Sequence, residues 1–178
     1  MGTKRTNENK YLQNVSFVKG VPEFQNPEYV PTLIVLDDLM NSAYSTKLSE
    51  LFTKGSHDLN ISLVLITQNL FNQGSLSRDI SLNSKYIVVF KNHRDKYRIV
   101  YLSRKVYPEN NCSFHKTYLE GCKDPRRYLF LDLIQSINDS LIFRSKIFPG
   151  ETCEVFAPVQ GNEPVKVTAT LSPRHKRL

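Results

Sequence analysis

Thr32-Leu33-Ile34-Val35-Leu36-Asp37-Asp38 is an apolar run, rich in β-branched residues, that ends in two carboxylates. A run without polar alternation predicts a strand covered on both faces, as in the middle of a parallel sheet. A second run, Ile61-Ser62-Leu63-Val64-Leu65-Ile66, ends in the polar pair Thr67-Gln68. Between them, Ser42 to Thr53 reads as an amphipathic helix. Leu48, Leu51 and Phe52 fall at i, i+3 and i+4, and Gly55 is a C-terminal stop. Strand, helix, strand predicts a crossover unit with the two strands adjacent and parallel. Open α/β sheets place their ligands at the carboxyl ends of such strands, where Asp37, Asp38 and Gln68 fall.

Working outward, Val15-Ser16-Phe17-Val18 reads as a short strand, followed by turn chemistry at Gly20, Pro22, Pro27 and Pro31. Ser77 to Leu82 reads as a short helix. Tyr86-Ile87-Val88-Val89-Phe90 is a third buried strand. Asp95 to Val106 has helical spacing at Ile99, Leu102 and Val106 before Pro108, and Phe114 to Cys122 is a further short helix. Two strand-like runs, Tyr128–Ile134 and Leu141–Ile147, flank the turn residues Ser136 to Asp139 and predict an antiparallel hairpin at the edge of the sheet. The expected organisation is a disordered segment over 1–14, one core over 15–149 and an irregular tail over 150–178.

With 178 residues the chain can bury one sizeable core. A 40% hydrophobic share is that of a globular chain, and no apolar run is long enough to span a membrane. Three cysteines without metal-type spacing, and a polar N-terminus without a signal-peptide core, predict a reducing, intracellular setting. The net charge of +7 is uneven: Lys85 to Lys105 holds seven Lys or Arg and one acid, Asp95, so this stretch alone carries +6. Lys96, Arg98, Arg104 and Lys105 are its candidate DNA contacts, set beside Tyr97 and Tyr101. A solvated helix face is the plain alternative.

At a strand end, Asp37 supplies the hard oxygen that Mg²⁺ prefers, and Asp38 could orient an attacking water. Asp38 could equally cap the following helix. Gln68 could reach a γ-phosphate and the lytic water, or serve as a satisfied loop amide. Arg78, Arg94 and Arg98 are candidates for an arginine finger, each with a surface role as the alternative. A metal-dependent nuclease built on Asp37 and Asp38 is weaker, because adjacent strand residues point to opposite sides and no third carboxylate stands nearby.

Five segments carry a resemblance: Leu33 to Met40, Leu51 to His57, Thr67 to Phe71, Ile80 to Asn83 and Phe90 to Asp95. Together they resemble the DNA-packaging ATPases of the FtsK–HerA superfamily, of the poxvirus type that large DNA viruses and Polinton (Maverick) elements carry. The likeness runs from about Phe17 to Pro149 and takes in Tyr128-Leu129-Phe130-Leu131-Asp132-Leu133. It implies a partial P-loop NTPase, RecA-like, with a mostly parallel α/β sheet and a C-terminal β-hairpin. By the resemblance Asp37 and Asp38 match the Walker B acids, Asp37 toward the metal and Asp38 catalytic, and Gln68 matches the polar sensor.

This sequence departs from the family in one respect that bears on activity. The family carries a phosphate loop upstream; here thirty-one residues precede the first strand, and no G-x-x-x-x-G-K-[ST] occurs in the chain. The resemblance therefore implies ATP and Mg²⁺ only where another segment supplies the loop. It places the phosphate-loop strand between the sensor strand and Tyr86–Phe90, so both would have open edges here. The implied partners are double-stranded DNA, further copies or intact ATPase subunits, and capsid proteins, with no membrane. The implied setting is a virion, virus factory or nucleus. Two functions follow: a portion of a packaging motor, inactive alone, or a non-hydrolysing module that binds DNA or an ATPase subunit.

Overall fold

The computed structural model describes residues 15–22, 31–37, 45–55, 58, 60–68, 80–92, 97–157 and 165–169. The segment expected to be disordered, 1–14, lies outside them. The chain divides into two compact units, Met1–Asn83 and Ser84–Leu178, where one core over 15–149 is the sequence expectation.

In the first unit, β1 (Leu33–Asp37) and β2 (Ser62–Ile66) pair in parallel, with Leu33 opposite Ser62 and Asp37 opposite Ile66. The connection carries α1 (Ser45–Glu50), which opens into a wider π turn over Leu51–Gly55. Leu48 and Leu51 turn inward from it, as their spacing predicts, onto Ile34, Leu36, Ile61 and Ile80. Gly55 has a local reason: a β-carbon there would stand 2.9 Å from the folded-over Leu51 side chain. The parallel crossover unit is thus present as expected. The covering of both strand faces is not: Leu33 and Val35 are each 54% exposed, and Val64 and Ile66 are exposed beside them. One face packs on the α1 layer, and the other presents aliphatic side chains to solvent.

The second unit is an antiparallel sheet in the order β3 (Tyr86–Phe90), β4 (Tyr128–Asp132), β5 (Phe143–Ser145), β6 (Cys153–Ala157), β7 (Val165–Ala169). Helices α2 (Tyr97–Val106) and α3 (Asn111–Gly121) lie between β3 and β4 in the chain. Asn110 caps α3, its side chain accepting the Ser113 amide at 3.0 Å. Phe114, Thr117, Tyr118 and Gly121 form the buried stripe of α3, and Phe114 meets Phe143 edge to face at 5.4 Å. The Tyr118 hydroxyl accepts the Asn92 amide at 3.0 Å and donates to the Phe90 carbonyl at 3.4 Å, tying α3 to the end of β3.

Three expectations need correction. Among the described strands, parallel pairing joins β1 and β2 alone; β3 pairs antiparallel with β4, so the described sheets are not mostly parallel. A pair of helices returns the chain to the same end of the sheet, which sets the next strand antiparallel. The β4–β5 hairpin pairs as predicted, with a 3₁₀ turn at Asp139–Leu141, but it does not form the sheet edge, because β6 and β7 extend the sheet beyond β5. The segment expected to be an irregular tail, 150–178, contributes β6 and β7 through its described residues. Val165-Lys166-Val167-Thr168 alternates at the strand period. β6 lies inside the sheet, with Cys153, Glu154, Val155 and Phe156 all buried.

Candidate functional site

Asp37 closes β1 at its carboxyl end and is exposed. Its register partner is Ile66, and Gln68, also exposed, stands two residues beyond on the same edge of the parallel pair. Adjacent strands lie about 4.8 Å apart, so the crossover brings a carboxylate and an amide to one strand end. Asp38, the residue expected to act on water, lies outside the described residues, as do Arg78 and Arg94. The fold therefore places the metal candidate and the sensor candidate together and says nothing of the other three.

The implied cofactors can be tested against these residues. A nucleotide's phosphates need backbone amides from a glycine-rich loop and a lysine, and the sequence has no such motif. Among the described residues, no group of three or more His, Cys, Asp or Glu could hold a metal ion. Among the described residues, Asp37 is the oxygen ligand that the resemblance assigns to the metal.

Three cations of the basic stretch, Arg98, Arg104 and Lys105, fall on α2, while Lys85 and Lys91 flank β3. Ile99, Leu102 and Ser103 are buried, while Tyr97, Tyr101, Arg104 and Lys105 are exposed and Arg98 is half-buried. Helical geometry puts the last five on one arc of about 120°. Lys105 lies over the Tyr101 ring at 5.1 Å, which holds both side chains against the helix. Lys96 lies outside the described residues. This face is cationic and aromatic, as a surface that meets phosphates would be.

Two buried ionic clusters in the second unit escaped the sequence. Asp132 and Arg144 pair on facing strands, with the guanidinium 5.2 Å from the Phe130 ring. Glu154, buried in β6, takes Lys146 at 2.8 Å and Arg127 at 3.4 Å. Each is a buried carboxylate with its cation, which is how a fold keeps a charge inside. A separate cleft of about 350 Å³ is lined by Val100, Ser103, Asn111, Cys112, His115 and Lys116. None of the sequence-predicted site residues lines it. Burial pushes the Cys122 thiol up to about 11 and raises Cys153, so neither is a ready nucleophile. The Tyr118 and Tyr128 hydroxyls are raised chiefly by burial, which the amides of Asn92 and Ile147 oppose.

No helix among the described residues is long and apolar enough to cross a membrane. Compared with protein-family models, with curated proteins and with solved structures, the chain gives no match.

Proposed function

We propose that this chain is a portion of a genome-packaging ATPase of the FtsK–HerA type, carrying the acidic and sensor strands of the motor without its phosphate loop. One observation carries the reading. Two parallel strands joined by a helix bring Asp37 and Gln68 to the same end of the pair. The aliphatic face of β1 and β2 adds support, because Leu33, Val35, Val64 and Ile66 suit a layer supplied by a further segment. In this reading Asp37 and Asp38 serve the metal and the water once a phosphate loop is docked. DNA, further subunits and capsid proteins are the proposed partners.

Complementation tests it. The chain alone releases no phosphate from ATP above an Asp38→Ala control, because nothing cradles the β- and γ-phosphates. Adding a fragment that bears a phosphate loop in trans restores Mg²⁺-dependent release, and Asp37→Ala or Asp38→Ala abolishes it. Robust hydrolysis by the chain alone, lost in Asp38→Ala, would overturn the reading of a missing cradle. Failure of every fragment to restore activity would remove the motor reading.

The second reading, a non-hydrolysing DNA-binding module, is favoured by the exposed Tyr97, Tyr101, Arg104 and Lys105 of α2. Its duplex affinity falls steeply between about 50 and 200 mM salt, because counterion release drives such contacts. Neutralising Arg94, Lys96, Arg98, Arg104 and Lys105 together flattens that slope, read by fluorescence anisotropy. An unchanged slope would leave the basic stretch a solvated surface.

A further inference from the structure

Neither reading of this chain uses the cleft of about 350 Å³ between α2 and α3. Its volume falls within the range of small-ligand clefts, about 300–1,000 Å³. From α2 come Val100 and Ser103, and the Ser103 hydroxyl donates to the Val100 carbonyl at 2.7 Å. From α3 come Asn111, Cys112, His115 and Lys116. Their spacing sets these four on one helix face. That face stands apart from the inner stripe of Phe114, Thr117, Tyr118 and Gly121, which packs the helix into the core.

Two observations mark the cleft as a place for a ligand. Asn111 Oδ1 is buried there with no hydrogen-bond partner, and a buried acceptor of that kind calls for a donor. Cys112 is exposed, whereas Cys122 and Cys153 are each buried to 1% exposure, so the cleft holds the accessible thiol of the three. The charge of the walls narrows the ligand. Lys116 and His115 line the cleft and no acid does; Glu109, on the turn before α3, is not part of the lining.

We propose that this cleft is a site of thiol–disulfide exchange, where Cys112 takes up half of a small disulfide that bears carboxylates, of the glutathione class. His115, one turn from Cys112, receives the thiol proton. The Cys112 sulfur attacks one sulfur of the disulfide, a new S–S bond forms and the old one breaks. The departing thiolate takes the proton from His115 and leaves as a free thiol. Cys112 is oxidised, one half of the small disulfide is reduced, and no further oxidant enters. Lys116 meets the ligand carboxylates, and an amide N–H of the ligand supplies the donor that Asn111 Oδ1 lacks. The exchange needs neither nucleotide nor DNA, so it stands apart from both functional readings.

The test uses the full chain with oxidised glutathione and, as a neutral comparison, hydroxyethyl disulfide. Intact mass should show one glutathionyl adduct per chain, peptide mapping should place it on Cys112, and Cys112→Ser should abolish it. The folded chain should react at least about tenfold faster than the same chain unfolded in urea, because the cleft holds the disulfide beside the thiol. Lys116→Gln should slow the reaction with oxidised glutathione and leave that with hydroxyethyl disulfide unchanged. His115→Asn should slow both. A folded chain that reacts no faster than the unfolded one would overturn the proposal, since Cys112 would then be only an exposed thiol. So would a Lys116→Gln variant that slows both disulfides alike, parental rates in His115→Asn, or a disulfide between two copies of Cys112 in place of the adduct.

Discussion

Asp132→Ala should destabilise the C-terminal unit by about 3–5 kcal/mol, the usual cost of removing one partner from a buried ion pair. Asp132 is 4% exposed, at the end of β4. Its carboxylate takes the Arg144 guanidinium and accepts the Ile134 amide at 3.4 Å. Deleting it leaves Arg144 inside, against Phe130, with no counter-charge and with Nε already unpartnered. The penalty is therefore desolvation of an orphaned cation more than loss of an attraction. That distinction can be measured. Asp132→Leu combined with Arg144→Met removes both charges and should recover most of the loss, within about 1–2 kcal/mol of the parent or better. Urea titration with exchange of the β4 and β5 amides as the probe reads the local effect. A single-variant loss below about 1 kcal/mol would show that the pair is effectively solvated.

How far the sequence announced this molecule depends on which forces set each element. The β1–α1–β2 unit was legible because its signals are local: two unbroken apolar runs, a helical stripe at Leu48 and Leu51, and a glycine stop. The α2 and α3 helices and the β4–β5 hairpin were legible for the same reason. The direction of β3 was not. Tyr86–Phe90 reads the same in a parallel or an antiparallel sheet, and its partner β4 lies some forty residues away. The covering of the strands was over-read for a physical reason. An unbroken apolar run states that both faces tolerate burial, and whether both are covered depends on what else is present to cover them. β6 was missed because its buried Glu154 interrupts the apolar run, and the cations that make a carboxylate tolerable there, Lys146 and Arg127, come from other parts of the chain. At the candidate site, Asp37 and Gln68 were placed correctly at one end of the parallel pair, since strand ends follow from strand limits. Asp38, Arg78, Arg94 and Lys96 lie outside the described residues, so their roles rest on the sequence alone.

Phe114→Ala should cost about 3–5 kcal/mol, as large-to-small changes of a buried aromatic do. Phe114 is 1% exposed on the inner stripe of α3. Its ring meets Phe143 edge to face at 83°, and Tyr107 meets Phe143 in the same way from the loop before α3. The alanine variant loses the transfer energy of the ring and opens a cavity. α3 is held close to β4, since a β-carbon at Gly121 would already stand 3.1 Å from Leu129, and this limits collapse into the void. Small domains hold only about 5–15 kcal/mol in all, so this unit would be left marginal. At about 4–8 °C per kcal/mol for a domain of this size, its melting temperature should fall by more than about 12 °C. Phe114→Leu keeps most of the volume and should lose less than half as much. A fall of only a few degrees would mean that α3 settles into the space, and the tight approach at Gly121 would then not be what fixes the helix on the sheet.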